Sequence, residues 1–190
     1  MGESGEGCGN DHGLLVLNHE FGRNHAVLGK SSPESLDDVR LSQHAHGVSI
    51  VELKKRQVPG QHSGQEQARW QTVESRYARR IHVNTAVEFS GPVAGHKLLN
   101  TSAGNSPQGT VNNCSMGHTP WGTYLTCEEN FNGYFGATNV SKTWDASAEQ
   151  ERYGFKKRGF GYGWEWFDPR FDLSNAEYKS SKKIKKRWQK

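Results

Sequence analysis

Between Asn112 and Asn130 the chain sets a thiol, Cys114, two adjacent carboxylates, Glu128 and Glu129, and the side-chain amides of Asn112, Asn113 and Asn130 around a short aromatic segment. Gly122 to Thr126 has the aromatic and β-branched content of a strand, bounded by Pro120 on one side and polar residues on the other. Successive side chains on a strand point to opposite faces. If the strand runs on through Glu128 and Glu129, one of them can face a site while the other braces it. Thiolate with carboxylate is a ligand set for a transition metal, and neighbouring oxygens suit a harder ion such as calcium. By spacing alone this is a weak metal signal, and a small buried hydrophobe is the plainer reading of Cys114, since free cysteines are commonly buried.

A pass along the rest of the chain predicts mainly β structure. Leu14 to Leu17 reads as a short buried strand entering the polar group Asn18-His19-Glu20. Val48 to Leu53 alternates, with Val48, Ile50 and Glu52 on one face, before a basic turn at Lys54 to Arg56. Arg80 to Thr85 reads as a strand with Ile81 and Val83 on one face, and Gly60 to Gln67 as a polar loop. Two short helices are expected, Pro33 to Arg40, with Ser32 as its cap, and Ala146 to Arg152. Ser102 to Gly109 is turn-rich.

Composition bounds the class. At 190 residues and 33% hydrophobic the chain suffices for one domain with a modest core. Twenty-two glycines and 11% aromatics favour turns and strands over helical bundles. No apolar run approaches the roughly eighteen residues of a membrane-spanning helix, so no membrane partner is expected. The first residues, MGESGEGCGNDHG, lack the basic and apolar regions of a secretory signal. The formal net charge of +4 is unevenly placed: Lys179 to Lys190 carries +7, leaving −3 for the remainder. That run, with Trp188, admits a nucleic-acid reading through phosphate neutralisation and base stacking, but a solvated terminal tail is the expectation and nucleic acid is not the expected partner. Three cysteines, Cys8, Cys114 and Cys127, form no zinc pattern, and no disulfide is built from them. Cys127 is expected to pack within its strand and Cys8 to lie in a flexible N-terminal segment.

The run Asn112 to Phe135, NNCSMGHTPWGTYLTCEENFNGYF, resembles the signature of the PhoX family of alkaline phosphatases. Asp11 to Phe21 (DHGLLVLNHEF), His46 to Leu53 (HGVSIVEL), Arg79 to Thr85 (RRIHVNT), Phe89 to Thr101 (FSGPVAGHKLLNT) and Gly159 to Leu173 (GFGYGWEWFDPRFDL) agree with it in the expected order. The resemblance implies an all-β fold, a partial β-propeller with short helical and loop insertions spanning residues 11–178, between an N-terminal segment 1–10 and the basic tail 179–190. Because a propeller blade takes about 40–45 residues, the chain is expected to hold part of a ring, as a fragment or truncated homologue. Its open sheet edges then favour self-association or partner pairing.

The chemistry implied by the resemblance is hydrolysis of phosphomonoesters by a cluster of Fe3+ and Ca2+ ions. Cys114 matches the family's iron-ligating cysteine, and Glu129 the second glutamate of its Glu-Glu-Asn run, expected as a direct ligand. Glu128 is expected to bind calcium or support a ligand. Glu20 has two readings, an acidic group at the metal site or a solvent-facing carboxylate at a strand end. His19 is expected to pack or hydrogen-bond, and the His44-Ala45-His46 pair, whose rings share a face if extended, to be structural. Arg79 and Arg80 precede a strand; Arg80 is the candidate to clamp a phosphate, against a plainer role as a structural anchor. Trp121, Tyr124, Phe131, Tyr134 and Phe135 are expected to pack in the core rather than line a pocket. The family acts outside the cytoplasm, so a periplasmic or secreted parent is expected by resemblance alone. The alternative function is a non-catalytic propeller segment that binds calcium or a partner chain.

Overall fold

The computed structural model describes residues 10–60, 64, 66–96, 107–138 and 145–175. Cys8, the tail 179–190, and most of Ser102 to Gly109 lie outside them. The described residues are rich in strands, with few and short helices. They form one four-stranded and one two-stranded antiparallel sheet, neither closed into a barrel.

The larger sheet is organised on β2 (Gly47–Pro59). β1 (His12–His19) pairs along one edge of it, from Gly47 to Lys54. The other edge is shared end to end by β4 (Arg79–Ile81), opposite Val48 to Ile50, and β3 (Glu66–Val73), opposite Glu52 to Pro59. Val48, Ile50 and Glu52 do form the buried face of β2, as the alternation predicts. Its basic stretch is not a turn: Lys54 to Arg56 stay in the strand because β3 supplies them with backbone partners, and β3 begins inside the segment expected to be loop. The strand expected over residues 80–85 ends at Ile81. The amide of Thr85 closes a turn onto His82 O (2.8 Å), and Val83 reaches the core from that turn.

Leu14 to Leu17 is a strand, but not a buried one. Leu14, Leu15 and Leu17 are 50%, 39% and 42% exposed, since β1 is an edge strand covered by little of the described chain.

Helix α1 (Asn24–Leu28) and helix α2 (Leu36–His44) lie between β1 and β2. Ser35, not Ser32, caps α2: its hydroxyl accepts from the Asp38 amide at 3.1 Å, and Asp37 and Asp38 complement the first-turn dipole. Helix α3 (Ala148–Arg152) falls within its expected bounds, held by a reciprocal capping box between Ser147 and Gln150. No helix among the described residues is long and apolar enough to cross a membrane.

The core is aromatic. Tyr134, Tyr162, Trp164 and Phe171 pack with Val39, Val83 and Val111. The rings of Tyr134 and Tyr162 stack at 4.5 Å, and His46 meets both, and Trp164, edge-on. Several polar groups entering this core are paired, while His46 Nε2 and Tyr162 Oη are buried without a hydrogen-bond partner among the described residues. Trp164 Nε1 donates to Ser42 Oγ (3.0 Å), Ser42 donates to Asn24 Oδ1 (2.8 Å), and Asn24 Nδ2 donates to Tyr162 O (2.9 Å). One chain of bonds thus ties α1, α2 and the 162–164 turn. Of the aromatics expected in the core, Tyr134 is buried, but Trp121 is 79% exposed because it sits in a tight turn.

That turn joins β5 (Asn113–His118) to β6 (Tyr124–Glu128). The Gly122 amide closes onto Thr119 O (3.0 Å), with Pro120 and Trp121 between them and Gly122 itself at φ 85°. This geometry moves the expected strand two residues along the chain. It also leaves Cys127 exposed rather than packed, since one face of the two-stranded sheet has no cover among the described residues.

Candidate functional site

The hairpin of β5 and β6 is pinned across the end of β1 by one residue. Asn18 donates from Nδ2 to Ser115 O (3.1 Å), while its Oδ1 accepts from Tyr124 Oη (2.9 Å) and Thr126 Oγ1 (3.3 Å). Glu20, two residues beyond Asn18, is thereby carried toward Cys114. Between Asn113 and Met116 the pairing slips: β5 spends three steps where β6 spends two, from Glu128 to Thr126. Cys114 and Ser115 occupy this bulge, a device that re-aims a side chain without ending the sheet.

The half-buried Cys114 lies beside Glu129. Its thiol is pushed above the usual range, first by desolvation, then by its polar contact with the Glu129 carboxylate, and then by the negative charges of Glu129 and Glu20. Cys114, Glu129 and Glu20 therefore share one neighbourhood. Glu128 turns elsewhere. Its Oε1 accepts from Thr110 Oγ1 (2.6 Å) and the Val111 amide (3.0 Å), fastening the approach to β5 against the end of β6. The strand does not run on through both glutamates: β6 ends at Glu128, and Glu129, just past it, lies toward the thiol while Glu128 serves as a brace.

Asn113, fully buried, donates from Nδ2 to Thr110 Oγ1 (2.9 Å) and Thr126 Oγ1 (3.3 Å), and its Oδ1 has no hydrogen-bond partner. Asn112 is in the left-handed region at φ 53°, the sole non-glycine residue so placed among those described.

The donor chemistry of thiol and two carboxylates suits a transition metal with an oxygen-loving neighbour. Among the described residues, however, no group of three or more His, Cys, Asp or Glu side chains converges closely enough to hold a metal ion. Cys114 and Glu129 fit as an arm of such a site, with Glu20 nearby, and do not form a closed cage.

The histidines and Arg80 have structural surroundings. His19 Nε2 meets Ser49 Oγ at 2.8 Å, and burial, with the charge of Arg80, lowers its pKa. His44 and His46 do not share a face: His44 ends α2 and packs on the His82 ring, whereas His46 is buried with Nδ1 on Ser42 O (2.9 Å). Burial lowers the His46 pKa to about 4. Arg80 gives Nη2 to His44 O (2.9 Å) and His46 O (3.0 Å), and Nη1 to Ser49 Oγ (3.2 Å). Arg79 points away, to Tyr77 O.

A second polar constellation lines an open basin of about 530 Å³ bounded by Arg40, His44, Asn84, Gln108, Asp168, Pro169 and Arg170. Asp168, 1% exposed, accepts from Arg40 Nη1 (2.6 Å), Gln43 Nε2 (2.9 Å) and Arg170 Nη2 (2.6 Å). Sequence reasoning passed over this group. The i, i+3 spacing of Arg40 and Gln43 on one helix, with Asp168-Pro169-Arg170 far along the chain, was the available signal.

The sequence model of the family described as Alkaline phosphatase PhoX matches residues 4–183. Among solved structures, one described as "Pseudomonas fluorescens PhoX in complex with vanadate, a transition state analogue" superposes with a TM-score of 0.73 at 39% identity. The alignment covers 88% of this chain and 28% of that one. No curated protein matches. The chain belongs to the PhoX family of alkaline phosphatases, and it spans a little over a quarter of the length of the solved PhoX.

Proposed function

We propose that this chain supplies the thiol-and-carboxylate arm of a metal-dependent phosphomonoesterase centre on a propeller framework. The observation that carries this reading is the contact of Cys114 with Glu129, beside Glu20, in a chain of the PhoX family. The vanadate bound by the similar Pseudomonas fluorescens protein is described as a transition-state analogue, which supports phosphoryl chemistry for the family.

Cys114 and Glu129 would hold the softer ion, Fe3+ by resemblance, and Glu20 would lie toward it or toward a neighbouring Ca2+. Such ions screen a phosphate dianion and stabilise charge on its oxygens. Glu128 has the bracing role its two bonds describe, keeping the segment before Cys114 against β6. The protein's own part in loading is a proton balance at Sγ. With its pKa raised, the thiol keeps its proton beside Glu129, and Cys114 would have to give that proton up to serve as a thiolate ligand.

Arg80 remains a candidate for substrate contact only through donors beyond the three bonds that anchor it to the 44–49 segment. The substrate class is phosphomonoesters. Extracytoplasmic action is part of this proposal and rests on the family resemblance.

The test is elemental analysis together with hydrolysis of p-nitrophenyl phosphate at alkaline pH, for the chain and for Cys114→Ala. Iron with calcium, and loss of iron in the variant, is the expected result. Stoichiometric iron retained by Cys114→Ala would remove Cys114 from the site. Calcium alone would favour a binding module.

A further inference from the structure

The three acidic or thiol groups of the candidate site come from separate segments, and one uncharged residue touches the backbone of two of them and lies two positions before the third. Asn112 Nδ2 donates to the carbonyl of Glu20 (3.3 Å) and to Tyr134 Oη (2.9 Å). Tyr134, packed in the core at 1% exposure, also donates to Glu20 O at 3.4 Å, closing a three-membered ring of bonds. Asn112 Oδ1 accepts from the Asn130 amide (2.9 Å), and its main-chain carbonyl accepts from the Glu129 amide (3.1 Å). Two residues on stands Cys114, in the β5 bulge.

These four contacts need a backbone that side chains rarely adopt. At φ 53° an ordinary residue is strained, while asparagine tolerates the left-handed region better than most. Strain of this kind persists where surrounding contacts over-determine it, and it gathers at functional sites. Gly, Asn and Asp tolerate the backbone here best, and of the three only Asn offers both a donor for Glu20 and an acceptor for Asn130. Asp keeps the acceptor but sets a carboxylate against the Glu20 carbonyl.

We propose that Asn112 is the positioning residue of the site. It fixes Glu20, Cys114 and Glu129 relative to one another and couples them, through Tyr134, to the aromatic core. The role assigned to it toward metal rests on the function proposed above; the coupling of the three segments does not.

The test uses the full chain in a Cys8→Ser, Cys127→Ser background, so that Cys114 supplies the thiolate signal. Co2+ is titrated while the thiolate charge-transfer absorption is followed, and amide exchange at Glu129 and Asn130 is measured without metal. Asn112→Gly relieves the backbone and deletes the side chain. It is expected to stay folded by thermal unfolding, to weaken Co2+ at least about 10-fold, as lost partners of ligands do, and to speed exchange at Asn130. Asn112→Asp is expected to hold Asn130 protection near the parent while still weakening Co2+, which separates the two arms of the amide; it takes over the comparison if the glycine variant does not fold. Parental Co2+ affinity in Asn112→Gly overturns the positioning role. Should the parent itself give no thiolate band, the metal reading fails, and exchange decides the inference alone: unchanged protection of Asn130 in Asn112→Gly overturns it, and lost protection upholds the coupling.

Discussion

Asp168→Asn isolates a charge whose worth can be worked from its surroundings. Burial by itself would raise the Asp168 pKa, but hydrogen bonds from Arg170 and Gln43 and the charge of Arg170 win, and hold it at about 2 against an ordinary 3.8. That gap corresponds to about 2 kcal/mol of differential stabilisation, from about 1.4 kcal/mol for each pH unit. An independent bound comes from removing one partner of a buried ion pair, which costs about 3–5 kcal/mol. The Arg40 and Arg170 side chains are 36% and 34% exposed, so water screens part of that loss. We therefore expect Asp168→Asn to lose about 2–3 kcal/mol at pH 7. Because the folded pKa is depressed, the stabilisation is complete above pH 3.8 and fades as pH falls through about 2. Urea unfolding of both proteins at pH 7, 5, 3.5 and 2, read as a difference, cancels the titration of other carboxylates. The difference should hold to about pH 4 and shrink by pH 2. A difference as large at pH 2 as at pH 7 would assign the loss to packing and refute the electrostatic account.

His46 titrates in a separate window. Its pKa of about 4, against 6.5, predicts that about 3 kcal/mol of stability present above pH 6.5 is lost as pH falls toward 4, and that His46→Gln flattens this limb in pH-dependent urea unfolding. Gly47 has φ 107°, and an added Cβ there would strike the Ile81 carbonyl and lie 2.9 Å from His82 Cα. Gly47→Ala should cost upward of about 2 kcal/mol by parting β2 from β4, measured as a fall in Tm. Arg80→Lys keeps the charge but cannot span two carbonyls and a hydroxyl. It is expected to cost about 1–3 kcal/mol of stability, and phosphate affinity unchanged in that variant would leave Arg80 an anchor alone.

What the sequence could disclose and what it could not divide along a physical line. Strand alternation over Val48 to Glu52 is a local consequence of the pleat, so it was legible before any contact was known, whereas the division between Glu128 and Glu129 falls at the end of β6, where alternation no longer decides it. Also legible was the short helix ending at Arg152, whose cap lies in four consecutive residues. The burial of Leu14 to Leu17 was misread because burial depends on what covers a strand, and an apolar run says only that cover would be favourable. The length of β2 was misread for the converse reason: Lys54 to Arg56 look like a turn until β3 supplies hydrogen-bond partners from residues 66–73. At the site, the family likeness named Cys114, Glu129 and Glu20, but residue types cannot announce a bulge or a left-handed asparagine. The bulge is a mismatch in register between β5 and β6, which exists only once the strands are paired, and the asparagine's conformation shows only in the folded backbone. The residues easiest to name were the charged and nucleophilic ones, whereas Asn112 and Asn18, which set the relative placement of those groups through ordinary amide bonds, became visible only in three dimensions. A substitution at either asparagine should therefore move the site's geometry while leaving every predicted ligand in place.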